Sequence, residues 1–238
     1  MSKVLHPVSI IIPTLNEGAV IVGLLKRFQA LRALGCQVIV SDGGSTDNTC
    51  ELVEHLVDRL VRGDAGRARQ MNRGAAEAEG EILWFIHADS DFQQPALGQL
   101  VETLADADCT WGRFNVQLDA RPFVYRVIES LINWRSRVTG IATGDQAIFV
   151  RRKVFEMIHG FADLPLMEDV DISQRLRAIA RPLCISTPVI TSARRWQQGG
   201  VIRTILLMWR LRLAFYLGVS PERLARHYHL CSSPTRVS

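Results

Sequence analysis

Two periodicities take turns along this chain, and each change from one to the other marks an element boundary. Residues 8–12 are continuously apolar but for Ser9 and read as a buried strand. Val20, Ile21, Leu24, Leu25, Phe28 and Leu31 then recur at helical spacing, and Gly35 stands where such a helix would end. A second strand pattern covers 37–41, followed by a Gly/Ser/Asp turn and a helical pattern over 48–57. A short third strand at 60–62, a helix rich in Ala and Arg, and a strand at 82–86 complete the first part. Further on, 110–118 and 146–150 read as strands with a long helix, 124–137, between them. The pattern over 168–180 predicts a helix whose acidic start and later Arg175, Arg177 and Arg181 complement the helix dipole. A strongly apolar helix covers 202–217, and Pro221 opens a last one.

Strands alternating with helices predict an α/β sheet covered by helices. No linker or low-complexity segment divides the 238 residues, so one domain spanning 1–238 is expected. The net charge is only +4, with no dense Lys/Arg tract, which argues against nucleic acid as a partner. A mild basic excess suits a phosphate-rich small ligand or an anionic membrane surface equally well. Five cysteines, an odd number without any Cys-x-x-Cys pair, fit neither a disulfide framework nor a zinc knuckle and suit a reducing compartment. The first seven residues contain no long apolar stretch, and no window of about twenty residues is free of charge. The expectation is a cytoplasmic protein without a spanning helix, either free or held peripherally at the inner face of the membrane.

Three polar clusters follow three separate strands: Pro13-Thr14-Leu15-Asn16-Glu17, Asp42-Gly43-Gly44-Ser45-Thr46-Asp47 and His87-Ala88-Asp89-Ser90-Asp91. In an open α/β sheet, ligands bind beyond the carboxyl ends of the strands, so a parallel sheet would gather all three at one edge. The first cluster begins with Pro and carries a Glu. It lacks the glycines that let a backbone approach a pyrophosphate, which excludes a dinucleotide enzyme and suits a loop that holds a base. Asp42, at a strand tip, is placed to accept from a base N–H, whereas Asp47 reads as a turn and capping residue. Asp89 and Asp91, at i and i+2, have the spacing to share a hard cation such as Mg²⁺ or Mn²⁺, together with substrate phosphates. His87 reads as a packed, hydrogen-bonded histidine.

In this order and spacing, with Gly66-Arg67-Ala68-Arg69-Gln70-Met71-Asn72, the clusters resemble the large inverting family of nucleotide-sugar glycosyltransferases, family two. The resemblance covers about residues 8–181 and implies a GT-A fold: Rossmann-like, with a mostly parallel sheet, helices on both faces and C-terminal helices appended. It implies a donor half over about 1–110, an acceptor half over about 111–200, and C-terminal helices over about 201–238. By that likeness Pro13, Thr14, Asn16, Glu17 and Asp42 hold the nucleotide, Arg67 the diphosphate, and Asp89 with Asp91 the metal. The family often has Asp where His87 stands. A Glu-Asp pair, Glu168-Asp169, follows downstream, and by the same likeness Asp169 is the general base. The residues alone read as carboxylates favouring a helix N-terminus.

Gly144-Asp145-Gln146 looks like a turn that contacts sugar or acceptor, and Arg194-Arg195-Trp196 resembles the Arg-Trp end of a motif in polysaccharide synthases. Ser192 stands where that motif has Gln, which argues against a processive polymerase. Asp145, Glu168, Arg195 and Trp196 are thus candidates for acceptor contact or a lid. The whole chain looks like a compact bacterial subgroup named for arsenosugar biosynthesis. The implied reaction moves a sugar from a nucleotide diphosphate-sugar to a small-molecule or lipid-linked hydroxyl. A nucleotide-sugar binding module without turnover, or a nucleotidyltransferase, are the alternatives; the latter needs a Gly-rich basic first loop, which is absent. The base, uracil or guanine, stays open. The helix over 201–217 is too charged to span a bilayer and too apolar to lie free in water, leaving the core, a homodimer or a membrane surface.

Overall fold

A computed structural model describes residues 8–92, 98–100 and 109–232. Four strands build the first half of the sheet: β1 (Val8–Thr14), β2 (Gln37–Asp42), β3 (Arg59–Arg62) and β4 (Ile82–Phe85). Between them run α1 (Gly18–Ala33), α2 (Thr49–Val53) and α3 (Arg67–Ala76). The pairings β1–β2, β1–β4 and β2–β3 are parallel, and their register sets Thr14 opposite Asp42 and Asp42 opposite Arg62. The first and second polar clusters therefore leave the sheet side by side, as the spacing predicts.

Beyond β4 the sheet becomes mixed. Its order is β3-β2-β1-β4-β7-β6-β8-β5, built with β5 (Ser90–Phe92), β6 (Trp111–Leu118), β7 (Phe149–Arg151) and β8 (Leu183–Thr191). β7 runs antiparallel to β4 and β6, and β5 antiparallel to β8, while β6 and β8 are parallel. Helices α4 (Phe123–Thr139), α5 (Arg152–Met157), α6 (Glu168–Ile179), α7 (Arg194–Gly199), α8 (Val201–Tyr216) and α9 (Pro221–Ser232) complete the chain, with a 3₁₀ turn at Gly144–Gln146.

Strand alternation sends neighbouring residues to opposite layers. Ile10, Ile12, Val38, Val40 and Trp84 join Leu24, Leu25 and Phe28 of α1 on one face. Ile11, Ile39, Leu83 and Phe85 join Met71 of α3 and Ile172 of α6 on the other. A Cβ on Gly74 would lie 2.6 Å from Ile11 Cγ2, so the absence of a side chain there lets α3 sit directly on β1.

α4 packs in an unusual way. β6 pairs with β7 only at Trp111 and Gly112, which leaves the rest of that edge without a strand. Side chains of α4 take the place of one: Asn133 exchanges two hydrogen bonds with the Val116 backbone (2.9 and 3.0 Å), and Glu129 Oε1 accepts the Leu118 N–H at 2.6 Å. Arg126 donates to the Leu118 and Ala120 carbonyls. Beside the buried Tyr125 and Ile128, the inward side of α4 carries polar residues because they satisfy a strand edge.

Candidate active site

The first two loops are laced together. Asn16, with φ 56°, accepts the Thr46 N–H at 2.8 Å through its side chain and donates its own N–H to Ser45 Oγ at 2.8 Å. Asp47 accepts the N–H groups of Thr49 and Gly18, a turn and capping role. Asp42 is 1% exposed, and both its oxygens serve its own loop: Oδ1 accepts from the Gly44 and Ser45 backbones, Oδ2 from the Ser45 and Thr14 hydroxyls. Burial acts to raise this carboxyl, but the Ser45 and Gly44 donors outweigh it and hold it below the ordinary aspartate range. Gln70 of α3 caps the arrangement, donating to the Thr14 and Ser41 carbonyls at 2.6 and 3.0 Å.

The three arginines of α3 divide by task. Arg69 forms a paired hydrogen bond with Asp163, and Arg73 donates to the Asp42 and Asp64 carbonyls. Arg67 turns instead to α6, where Nη1 lies 3.5 Å from Oε1 of the buried Glu168. Glu17 feels the same guanidinium, and Arg194 as well. Even so, burial and then the Asp89 carboxylate push Glu17 above the ordinary glutamate range. Glu17, Asp89, Arg67 and Arg194 thus share one edge of the sheet.

Asp89 and Asp91 are engaged differently. Asp89 is half-buried in the Glu17 neighbourhood, whereas Asp91 Oδ1 pairs with Arg27 Nε of α1 at 2.9 Å. No group of three His, Cys, Asp or Glu able to hold a metal occurs among the described residues. A donor set of one carboxylate beside another, crowded enough to raise Glu17, still fits a Mg²⁺ or Mn²⁺ that takes its remaining ligands from phosphates and water.

His87, Gly144 and Asp169 meet where the two halves join. A Cβ on Gly144 would lie 2.7 and 2.8 Å from atoms of the His87 ring, so the turn rests directly on the imidazole. The Gly144 N–H donates to Asp169 Oδ2 at 2.9 Å. Asp171 is held by Arg175 one turn on, at 2.6 Å, which leaves Asp169 as the carboxylate facing the turn. Glu168 is 4% exposed; burial, then Asp169, raise its carboxyl despite the pull of Arg67. Met167, itself left-handed at φ 69°, precedes this acidic start of α6 as its N-cap.

Arg135 of α4 carries no signal in the polar clusters, yet it belongs to this site. Its Nε and Nη2 are buried without a hydrogen-bond partner among the described residues, as is Asp145 Oδ1. Burial, then Arg212 of α8, lower the guanidinium to about 10, while Asp145 and Asp169 pull the other way. It falls on the buried stripe of Ile128 and Ile132, at i+7 and i+3, which was the available signal. Trp196 packs, partly buried, against a small core cluster formed by Leu118, Ala120, Tyr125, Ile128 and Ala193, and so anchors α7 there. The Arg195 side chain lies outside the described residues. Pro13 is half-buried and Thr14 buried at the end of β1.

A family model described as glycosyl transferase family 2 matches residues 9–159. The chain is 26% identical to a probable glycosyltransferase, YdaM, of Bacillus subtilis over 91% of its own length. It spans only 56% of that relative. Among solved structures, the mannosyltransferase PcManGT from Pyrobaculum calidifontis, in complex with GDP-Man and Mn²⁺, superposes with a TM-score of 0.64 at 23% identity. The match covers 88% of this chain and 61% of that one. S. aureus TarS in complex with UDP gives 0.64 at 19% identity, covering 78% and 60%. These two likenesses bear on the fold, and both neighbours share the sheet with its helices.

Proposed function

Because the chain belongs to glycosyl transferase family 2, we propose that it transfers a sugar, with inversion, from a nucleotide diphosphate-sugar to a hydroxyl acceptor. The observation that carries this reading is the meeting of Arg67, Glu168, Asp169 and Asp89 at one sheet edge, from segments that are far apart in sequence. In the proposed reaction Asp169 takes the proton of the acceptor hydroxyl as its oxygen attacks the anomeric carbon in line. The new C–O bond forms as the bond to the diphosphate breaks, and the nucleoside diphosphate leaves with the electron pair. Arg67, already balanced between Glu17 and Glu168, would receive the growing charge on the diphosphate.

Asp89 would hold a Mn²⁺ or Mg²⁺, with Asp91 as the second residue of the Asp-Ser-Asp motif; a bound cation there supplies charge neutralisation for the leaving group. GDP-Man with Mn²⁺ in PcManGT and UDP in TarS support a nucleotide donor without choosing between uracil and guanine. Asp42, Asn16 and Thr14 would shape the base-binding loops, Asp42 by ordering Gly44 and Ser45. On the acceptor side, Arg135 and Asp145 offer buried polar atoms for a polar, hydroxyl-bearing molecule. No residue there selects arsenic, so the acceptor is read only as a hydroxyl compound, small or lipid-linked.

A thermal-shift screen of UDP and GDP, each with and without Mn²⁺, tests the reading. Ligand at about a hundredfold excess over its Kd contributes about 2.7 kcal/mol. At about 2–4 °C per kcal/mol for a chain this size, that is a rise of roughly 5–10 °C. One diphosphate should produce it with Mn²⁺. No shift with either would overturn the donor assignment, and donor hydrolysis would separate an enzyme from a mere binding module.

A further inference from the structure

α4 and α8, besides the apolar residues they bury in two core clusters, each carry a second apolar stripe that faces outward. On α4, Phe123, Val127, Leu131, Trp134 and Val138 recur every three or four residues, and all are exposed, Trp134 by 64%. The cause is visible on the inner side, where Arg126, Glu129 and Asn133 are committed to the open edge of β6. On α8, Ile202, Leu206, Trp209, Leu213 and Tyr216 make a second exposed stripe, with Trp209 at 67%. The helices are neighbours: Tyr125, Ile128 and Ile132 share a cluster with Val201 and Ile205, and Arg135 lies within electrostatic reach of Arg212 and Tyr216. Two apolar stripes, each with a tryptophan, therefore run along adjacent helices.

Charge indicates what covers them. α8 contains Arg203, Arg210 and Arg212 and no acid. Of these, Arg203 and Arg210 are exposed. On α4, Arg126 and Arg135 are turned inward, Arg137 is exposed, and the single acid, Glu129, is buried and bonded to the strand edge. No exposed carboxylate stands on either helix. A second copy docked by a two-fold axis would set this arginine-bearing face against itself with no acid to meet it. Among the described residues no helix is long and apolar enough to cross a membrane. What fits is a surface that is negative outside and apolar beneath, with tryptophan and tyrosine in the headgroup layer and arginines reaching phosphates.

We propose that the outer faces of α4 and α8 together dock on an anionic lipid bilayer. The docked face adjoins the cleft, because Arg135 on α4 lies near Asp145 and Asp169. If the transfer reading holds, the acceptor side of the cleft opens beside the membrane. The docking itself does not depend on that reading.

Flotation of the full chain with phosphatidylcholine vesicles, with and without phosphatidylglycerol, tests it apart from any catalysis. The wild type should float with the anionic vesicles and on the order of thirtyfold less with the neutral ones, the scale set by two or so arginines near a charged surface. The variant Trp134→Ser/Trp209→Ser leaves net charge unchanged and should lose at least as much, with its melting temperature unaltered. Each single variant repeats the measurement, so a folding defect in the double is distinguishable from lost docking. Three results would overturn the proposal: wild type that stays down with anionic vesicles, Trp variants that float like wild type, or a concentration-dependent dimer that these substitutions dissolve without any flotation.

Discussion

Asp169 and Asp89 are both half-buried carboxylates near the same cleft, and their surroundings predict different losses on neutralisation. Asp169 accepts the Gly144 and Val170 N–H groups and lies within electrostatic reach of Arg135. Asp169→Asn should keep nucleoside diphosphate affinity in isothermal titration and lose transfer by about a hundredfold or more, the scale of a positioned base. If affinity collapses together with rate, Asp169 belongs to the donor site or to folding. Asp89 lies beside Glu17 instead, so Asp89→Asn should abolish the Mn²⁺-dependent part of nucleotide binding and leave metal-free binding as it was. Asp91→Asn should cost less, because Asp91 is already paired with Arg27. An unchanged Mn²⁺ titration for Asp89→Asn would remove it from the metal reading.

At the scale of elements, the 3₁₀ turn and α4 are the two places where packing is least forgiving. Thr143 and Gln146 close a capping box around the Gly144–Gln146 turn, and its first residue lies flat on the His87 ring. Gly144→Ala must push His87 or the turn away, and a displacement near 1 Å is enough to cost transfer on the order of a hundredfold. Nucleotide affinity should survive, since the Asn16 and Asp42 loops proposed to hold the base are elsewhere; a parallel loss of both would show that the turn supports the whole candidate site. On α4, Asn133→Ala leaves the Val116 N–H and C=O without their partners. Denaturant unfolding should report a loss of about 1–3 kcal/mol, the usual cost of stranding buried polar groups.

For the molecule as a whole, Glu168 is the residue whose ionisation links its two halves. It starts α6 in the second half and meets Arg67 of α3 from the first. Its carboxyl is raised by burial and by Asp169 beyond what Arg67 restores. A carboxyl with a higher pKa folded than unfolded binds more protons in the folded state. Its favourable contribution is therefore present below the ordinary glutamate range and is lost as pH rises through the folded value. Glu168→Gln should raise the melting temperature at neutral pH, and the gap should close as the pH falls towards that range. A gap that widens on acidification would mean that Arg67 outweighs burial.

The alternation of strands and helices in the first half, and the placing of three polar clusters at strand ends, follow from periodicity and turn residues that act over a few positions. Hence β1, β2, β3 and β4 appear within a residue or two of where the pattern sets them, and Thr14 and Asp42 emerge as neighbours. Periodicity fails where the environment is two-sided or shared. β8 is rich in β-branched residues but alternates weakly, contains Pro188, and is partly exposed on both faces, so its strand signal is blurred. The helical pattern over 48–57 is cut to Thr49–Val53 because the chain must turn to bring Asp58 onto the Val38 carbonyl before β3. Above all, tertiary contacts chose among chemically equal candidates. Arg69, Arg73 and Asp91 were taken by partners remote in sequence and Asp171 by its own helix, whereas Arg67 met Glu168, Asp89 came beside Glu17, and Asp169 came within reach of an Arg135 that no motif marks. The physical reason is that backbone propensity is decided by neighbours along the chain. Whether a charge is free or already spent depends on which groups the fold sets within a few ångströms of it.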